Sequence, residues 1–240
     1  MRGRRRQPVF LDTELDPLPD PRGYDSEGLV AVGGDLSEAR LREAYGKGVF
    51  PWYAEGILPM WWSPDPRALM TAARLHVSRS LQRRLRRDDF TVTWNRCFAR
   101  VMAECGRFRA EGTWIIPEML RAYEALHRRG AAHSLEVWHG RTLVGGIYGV
   151  QLGGLFAAES MFHRATDMSK VALVALVRSL FAAGIELFDV QMLTPHLASM
   201  GAFEVPRADY LARLPAALTR RVVLVDPPRS GSWRGGVRDG

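Results

Sequence analysis

The sequence predicts a fold of the α+β or mixed α/β class, and two observations support this prediction. Segments with the apolar spacing of helices come before and after a run of segments that alternate like strands. In addition, 47% of the 240 residues are hydrophobic, which is enough for a substantial core. We divide the chain into a small N-terminal domain over residues 1–66 and a larger domain over residues 67–225. Residues 226–240 consist mainly of Pro, Gly, Ser and Arg and are expected to form a disordered tail.

The N-terminal domain contains one expected helix between an irregular segment and an aromatic one. Residues 1–27 are rich in Pro, Asp and Arg and are predicted to be irregular. Either Asp35 or Ser37 can cap a helix over residues 38–47. Residues 49–67 carry four Pro and three Trp. This composition favours an ordered aromatic loop or short strands over a flexible linker.

The larger domain begins with helices and continues with strands. Ser78 is a suitable N-cap for the first helix, and Pro117 suits the first turn of the third. The three helices are predicted over residues 79–88, 95–106 and 117–129. Turn-like Gly-containing dipeptides separate the next segments, as expected for neighbouring strands. These strands are predicted over residues 133–139, 142–151 and 154–162.

A helix that is apolar on nearly all sides follows the strands and should be buried. It covers residues 168–183, and Gly184 ends it. The remaining elements are predicted over residues 185–191 (strand), 195–200 (helix), 202–206 (strand) and 207–220 (helix).

Composition and charge narrow the possible classes of function. No run of 18 apolar residues is free of charge, so no membrane span is expected. The basic N-terminus lacks the apolar segment of a signal peptide, so we expect a cytoplasmic protein. The net charge of +7 permits a phosphate-rich partner without requiring one. The six His show no metal-ligand spacing and no C-x-x-C is present, so no metal is expected.

Three polar residues stand in strongly apolar surroundings in the second half of the chain. They are Glu159, Asp189 and Gln191. A buried carboxylate or amide costs several kcal/mol unless it is partnered, which indicates a use for these groups. Residues two apart in a strand share a face, so the side chains of Asp189 and Gln191 should project together. A carboxylate beside an amide can orient and polarise it. From spacing alone, the alternative is that both residues satisfy backbone groups at the end of a strand.

These residues belong to a series of long, Trp-rich motifs. In chain order the motifs are Phe50-Pro51-Trp52-Tyr53, Trp61-Trp62-Ser63-Pro64-Asp65-Pro66-Arg67, Gly112-Thr113-Trp114-Ile115, Glu159-Ser160-Met161-Phe162, Ser169-Lys170, Asp189-Val190-Gln191 and His196-Leu197-Ala198-Ser199-Met200-Gly201-Ala202. From about Gly28 to about Tyr210 the chain thereby resembles the leucyl/phenylalanyl-tRNA–protein transferases. The resemblance implies an acetyltransferase-like (GNAT-like) fold for the larger domain. One departure is Asp167-Met168, where the family usually has Asn-Ala.

The resemblance also implies an activity. Such an enzyme moves Leu or Phe from aminoacyl-tRNA to the α-amine of an N-terminal Arg or Lys of an acceptor protein, which marks that protein for N-degron degradation. Because the ester is already activated, no ATP, metal or other cofactor is expected. The resemblance assigns the matching Asp-x-Gln positions to catalysis, and we assign Gln191 to orienting the attacking amine and Asp189 to polarising Gln191 and stabilising positive charge. Glu159 pairs with the positive acceptor residue or holds the hydrogen bonds of the site. We expect a monomer.

Two sets of residues match the substrate-binding positions of that family. The residues matching the apolar pocket for the amino acid are Ile147, Met161, Leu173, Leu176 and Leu180, and those beside the terminal adenosine are Trp52 and Trp114. Without the resemblance, each of these would be ordinary core. Arginines at helical spacings of four, three and one suit the phosphates of an acceptor stem. These are Arg79, Arg83, Arg86 and Arg87. A solvated basic face is the alternative.

Two other functions compete with aminoacyl transfer. A coenzyme-A N-acetyltransferase on the same fold would cradle a pyrophosphate with a Gly-rich loop at the start of a helix. Residues 163–168, which precede the buried helix, contain no Gly, and this argues against that function. A non-catalytic RNA-binding module would explain the arginine-rich helix. It would not explain the burial expected for Glu159, Asp189 and Gln191.

Overall fold

The computed structural model describes residues 6–13, 15–87, 89–107 and 115–224. Within these ranges the chain forms two β-sheets with helices packed on them. The smaller sheet has the order β1-β2-β4-β3. Its strands are β1 (Val9–Leu11), β2 (Leu29–Gly33), β3 (Phe50–Pro51) and β4 (Met60–Trp62), and helix α1 (Glu38–Gly46) connects β2 to β3.

The N-terminal elements follow from local chemistry. Ser37 is the N-cap of α1, because its hydroxyl accepts a hydrogen bond from the backbone N–H of Arg40 at 3.2 Å. Asp35 instead accepts from the N–H of Ser37. The indole of the fully buried Trp61 donates to the carbonyl of Gly33 at 2.9 Å. The prediction that residues 49–67 form an ordered aromatic loop or short strands is therefore confirmed. The prediction that residues 1–27 are irregular is wrong at Val9–Leu11, which form β1.

The larger sheet has the order β11-β5-β10-β9-β8-β7-β6. Its strands are β5 (Arg67–Met70), β6 (Thr91–Trp94), β7 (Ala132–His139), β8 (Thr142–Leu152), β9 (Leu155–His163), β10 (Leu187–Gln191) and β11 (Phe203–Val205). The helices around it are α2 (Arg79–Leu85), α3 (Phe98–Arg107), α4 (Pro117–Arg128), α5 (Met168–Ala183), α6 (Pro195–Ser199) and α7 (Arg207–Leu218). The mixed α/β organisation with a small N-terminal region agrees with the predicted α+β class.

Most elements of this larger part lie where the sequence predicts them, but β5, its first strand, was not predicted and two further elements differ. Helix α2 ends at Leu85 rather than at 88, so Arg86 and Arg87 follow the helix instead of lying on it. Strand β6 was not predicted, and α3 begins only after it. The expected disordered tail, residues 226–240, lies outside the described residues. Among the described helices, none has both the length and the apolarity needed to cross a bilayer.

The parallel pairing of β9 with β10 positions the candidate site. The buried helix α5 connects these two strands, and Asp189 lies opposite Ala157 in their register. Two residues further along each strand come Gln191 and Glu159. Gln191 ends β10, whereas β9 continues past Glu159 to His163, so the two polar residues meet where the end of β10 lies beside the middle of β9.

A large buried cluster joins the two sheets. It contains Trp61 from the small sheet, Tyr45 from α1, Tyr123 from α4, and Tyr148 and Phe162 from the larger sheet. Apolar packing therefore continues across the boundary expected near residue 67. The division into domains at that point stays a prediction.

Candidate functional site at the end of β10

Gln191, the last residue of β10, has an unusual backbone conformation. Its φ of 64° lies in the left-handed region, which costs a non-glycine residue roughly 1 kcal/mol or more. The carboxylate Oδ1 of Asp189 accepts a hydrogen bond from the N–H of Gln191 at 2.8 Å. The pairing of β10 with β5 is also irregular between these two residues. This local irregularity directs the amide of Gln191 towards β9, where its Nε2 donates to Glu159 Oε1 at 2.8 Å.

Asp189 is completely buried in a charged network beneath this turn. Its carboxylate accepts from Arg67 through Nε at 2.9 Å and Nη2 at 2.6 Å, and from the hydroxyl of Tyr210 at 3.0 Å. The guanidinium of Arg67 in turn lies 4.9 Å from the ring centre of Phe50 and 4.7 Å from that of Tyr210. The predicted contact of the Asp189 carboxylate with the side-chain amide of Gln191 is therefore wrong. The carboxylate contacts the backbone of Gln191 instead, because the regular two-residue alternation fails at the irregularity.

Glu159 is the carboxylate that contacts the amide of Gln191. Its Oε1 also accepts from the hydroxyl of Tyr45 at 2.7 Å, and the hydroxyls of Tyr45 and Tyr123 are 2.5 Å apart. Burial raises the pKa of Glu159 to about 8, and the nearby charge of Asp189 adds to this, although the hydrogen bonds from Tyr45 and Gln191 oppose it. Near neutral pH, Glu159 is therefore mostly protonated in the folded protein.

The two tyrosines of this network were not anticipated from the sequence. Tyr45 lies on α1 and Tyr123 on α4, and they are 114 and 36 residues away from Glu159 in the chain. No local spacing links residues so far apart. Arg67 is the last residue of the Trp-rich motif that begins at Trp61, but nothing in that motif indicates Asp189 as its partner.

A cavity of about 260 Å³, here called the central cavity, opens beside Gln191 and Glu159. Its walls come from β3, the middle of β9, the end of β10 and α6. The lining residues are Phe50, Pro51, Trp52, Glu159, Ser160, Met161, Val190, Gln191, Met192, Thr194 and Leu197. Trp52 is 43% exposed and forms part of the rim. Asp189 does not line the cavity, so it lies behind the site rather than within it.

The predicted apolar-pocket residues are only partly gathered at this cavity. Met161 lines it, and Ile147 is the cross-strand partner of Met161 in the pairing of β8 with β9. The three leucines of α5 are fully buried in one apolar cluster with Ile147 and do not line the cavity. These are Leu173, Leu176 and Leu180. Trp114 lies outside the described residues.

A larger and more polar cavity of about 780 Å³, here called the polar cleft, shares Met161 with the central cavity. It lies where the chain leaves β9 and enters α5. Its lining residues are Met161, His163, Arg164, Ala165, Thr166, Asp167, Ser169, Lys170 and His196.

The predicted basic stripe lies on the exposed side of α2 and just after it. Its four arginines are solvent-exposed, and no ion pair involves them among the described residues. They are Arg79, Arg83, Arg86 and Arg87. Arg84, on the same helix, is instead paired with Asp89 and covers the ring of Phe90. The arginine set therefore leaves positive charge available on one surface, where the chain can meet a polyanion.

The cysteine and histidine residues give no sign of a metal site. Cys97 and Cys105 are both free thiols. Across the described ranges, no group of three or more His, Cys, Asp and Glu side chains is arranged to hold a metal ion. The expected absence of a metal stays a prediction.

The sequence matches two family models. One, described as leucyl/phenylalanyl-tRNA protein transferase, matches residues 69–215. The other, described as the N-terminal domain of the same protein, matches residues 34–65. Among solved structures, L-PGS from Bacillus licheniformis covers 80% of this chain and 64% of its own chain, at 11% identity. Its TM-score of 0.39 is too low to assign a fold, so the acetyltransferase-like fold stays a prediction.

Curated relatives match over nearly their full lengths. The leucyl/phenylalanyl-tRNA–protein transferase of Anaeromyxobacter sp. (strain Fw109-5) is 51% identical over 90% of this chain and 91% of its own. The protein of the same name from Syntrophobacter fumaroxidans is 51% identical over 86% and 90%, and that from Proteus mirabilis is 47% identical over 86% and 91%. With its two family regions in order and a polar pair beside a cavity where β10 ends next to β9, the chain belongs to the leucyl/phenylalanyl-tRNA protein transferase family.

Proposed function

We propose that this protein transfers the aminoacyl group of a charged tRNA to the α-amine of an acceptor protein. The amino acid is Leu or Phe, the acceptor begins with Arg or Lys, and the modified protein enters an N-degron pathway in the cytoplasm. The family assignment supports this activity, and the observation that carries it is the Gln191–Glu159 hydrogen bond at the wall of the central cavity. We expect the protein to act as a monomer and without a cofactor.

The reaction needs positioning and proton transfer more than activation of its substrate. The amine nitrogen attacks the ester carbonyl carbon, the new C–N bond forms, and the ester C–O bond to the ribose breaks. The attacking nitrogen loses a proton and the departing ribose oxygen gains one. Holding the amine and the ester together in a cavity supplies much of the rate enhancement of such a reaction.

Gln191 is placed to orient the amine. Its Nε2 is occupied by Glu159, which leaves the amide oxygen to accept an N–H from the incoming nucleophile. A neutral amide is a poor base, so the proton does not end on Gln191. The hydrogen bond that the backbone N–H of Gln191 donates to the Asp189 carboxylate supports the left-handed conformation that aims the amide. We therefore assign Asp189 as a positioning residue that acts through the backbone of Gln191.

The ionised fraction of Glu159, a minority near neutral pH that grows as the pH rises towards 8, is suited to accept the proton. Its pKa of about 8 is close to that of an α-amine, roughly 7.7–8.0. Proton transfer between groups of similar pKa is efficient at the corresponding pH. The hydroxyl of Tyr45 remains hydrogen-bonded to Glu159 and can stabilise its charged form. The ribose hydroxyls of the tRNA can then take part in passing a proton to the departing ribose oxygen.

The substrates are held by apolar and basic surfaces on different sides of this pair. Met161 and the exposed ring of Trp52 offer contacts to an apolar side chain and to the terminal base. Ile147, Leu173, Leu176 and Leu180 form the packed layer behind Met161. The arginines of α2 contact the acceptor-stem phosphates, which carry no sequence information, and this suits an enzyme that accepts several tRNA species.

Transfer of label from Leu-tRNA to a peptide tests this function. The wild-type protein is expected to place labelled Leu on a peptide that begins with Arg, and not on the same peptide with an acetylated N-terminus. Gln191→Ala should lower kcat by at least about 100-fold, in line with loss of a positioned polar group. Gln151→Ala is the matched control, because that amide bonds only backbone carbonyls away from the cavity. Label that moves from acetyl-CoA and not from Leu-tRNA would refute the proposal.

A further inference from the structure

The polar cleft contains donor groups that the transfer chemistry does not use. It holds the side chains of Lys170, Arg164 and His196, together with the first turn of α5. Met161 is common to its wall and to the wall of the central cavity. A molecule bound at the reaction site can therefore extend into the cleft without leaving the protein surface.

The start of α5 adds backbone donors to this cleft. Helix α5 is 16 residues long, and Asp167, which precedes it, makes no side-chain cap to its N–H groups. The carboxylate of Asp167 is directed instead to Lys170, with an Nζ to Oδ1 distance of 2.9 Å. The first N–H groups of a helix have no partner within the helix, and the helix dipole makes this end favourable for an anion.

A second and independent donor lies across the cleft on α6. The Nε2 atom of His196 is buried and has no hydrogen-bond partner among the described residues. Because this atom is not accessible to solvent, a ligand in the cleft can bond to it only if the imidazole ring, which lines the cleft, turns towards it, and that bond would satisfy the atom. Burial lowers the pKa of His196, with nearby Lys170 adding to this, so the neutral imidazole offers a hydrogen bond and not a charge.

Charge at the cleft is positive on balance. Arg164 and Arg107 share one carboxylate, that of Glu104, and Lys170 is paired with Asp167. Of these charged groups, Arg164, Lys170 and Asp167 line the cleft itself, which gives two cations and one anion. The Nη2 of Arg84 on α2 also lies 3.8 Å from the Sδ of Met168, the first residue of α5. Helix α2 therefore lies beside the start of α5, whose first turn borders the polar cleft.

We infer that the polar cleft binds phosphate groups of the unpaired 3′-terminal nucleotides of charged tRNA, between the arginines of α2 and the central cavity. This inference rests on the proposed function, because only a nucleic acid that ends in the central cavity would follow this path. Lys170 supplies the cation, the first turn of α5 supplies backbone N–H groups, and His196 supplies a neutral hydrogen bond. A nucleotide pyrophosphate such as that of coenzyme A has the same chemistry, and the experiment separates the two sources.

The test compares two non-hydrolysable probes that end in the same group. One is adenosine with leucine joined through a 3′-amide, and the other is the trinucleotide CCA with the same leucyl amide. The wild-type protein should bind the trinucleotide at least about tenfold more tightly, as charge-assisted hydrogen bonds to phosphate predict. Lys170→Gln should remove most of this advantage, flatten its dependence on salt, and leave binding of the nucleoside unchanged.

Lys47→Gln is the matched control for this variant. Both lysines are ion-paired to a nearby carboxylate, at 2.8 Å for Lys47 and 2.9 Å for Lys170. Their side chains are also similarly exposed, 37% and 40%. Lys47→Gln should bind both probes like the wild type. His196→Leu is a second variant, which breaks no protein hydrogen bond of Nε2 and should weaken the trinucleotide by about threefold.

Three results would overturn the inference. They are equal binding of the two probes by the wild type, equal weakening of both probes by Lys170→Gln, and displacement of the trinucleotide by coenzyme A at comparable concentration. Transfer of Leu is measured separately on intact Leu-tRNA. A protein that binds the trinucleotide as described but transfers no Leu would contradict the proposed function and leave the phosphate site supported.

Discussion

Replacing Arg67 with Met is expected to destabilise the protein by about 3–5 kcal/mol, because it leaves the carboxylate of Asp189 buried without its counter-ion. Both side chains are almost completely buried, and they are joined by two hydrogen bonds of 2.9 and 2.6 Å. Tyr210 and one backbone N–H would remain as donors to Asp189. These donors are neutral and cannot compensate the negative charge of Asp189. The expected loss in free energy of unfolding therefore lies in the range for a buried ion pair that has lost one partner.

Urea unfolding, followed by tryptophan fluorescence, measures this effect. With a slope near 3 kcal/mol per molar urea, the midpoint should fall by about 1–2 M while the slope stays unchanged. Arg22→Met is the control, since Arg22 and Asp20 form a pair of similar length whose side chains are 59% and 51% exposed. That change should cost about 1 kcal/mol or less.

A double variant separates the charge effect from lost packing around Arg67. In Arg67→Met/Asp189→Asn no charge remains, and the amide oxygen of Asn can still accept from the N–H of Gln191. The double variant should therefore be more stable than the sum of the two single changes predicts. Additive losses, or a loss below about 1 kcal/mol in the single Met variant, would refute the account of Asp189 as an anion held by Arg67.

Three further predictions concern other parts of the chain. The pKa of Glu159 is about 8 in the folded protein against roughly 4.3 in the unfolded chain, so its contribution to stability is full below about pH 4 and is lost as pH rises through 8. Glu159→Gln should therefore gain stability relative to wild type between pH 5.5 and 9 in urea unfolding. Parallel curves of unfolding free energy against pH for the two proteins would contradict this. Arg83→Ala combined with Arg87→Ala should reduce the slope of log affinity for tRNA against log salt by about 1.5, measured by filter binding, and an unchanged slope would count against the basic stripe. Ser37→Ala should cost about 1 kcal/mol in thermal or urea unfolding by removing the N-cap of α1, and no loss would show that the cap contributes nothing.

The sequence predicts elements well where the deciding interactions are local. The N-cap at Ser78 and the long apolar pattern of residues 168–183 each depend on neighbours within one or two turns. Strand β6 has only four residues at the edge of the larger sheet, which is too short for a clear alternation. Its position is set by pairing with β7, which a local pattern does not contain.

Only some members of the candidate site were named from the sequence, and their connections were not predicted. Glu159 and Gln191 were named from their surroundings, and the structure brings them within hydrogen-bond distance. The partner of Asp189 was assigned from regular strand geometry, and the irregular end of β10 breaks that rule. Arg67 lies 122 residues away from Asp189, so their pairing depends on the complete fold of the larger sheet.

The hydrogen bond from Tyr45 to Glu159 has a consequence for how this protein can vary. Tyr45 belongs to the N-terminal family region and Glu159 to the other, so neither region alone contains the whole hydrogen-bonded set. A chimera built from halves of two distant relatives would have to match at this contact before its reaction site could work. The two regions must therefore change together, and a fragment starting at Arg67 would keep Gln191 but lose the wall formed by Phe50 and Trp52.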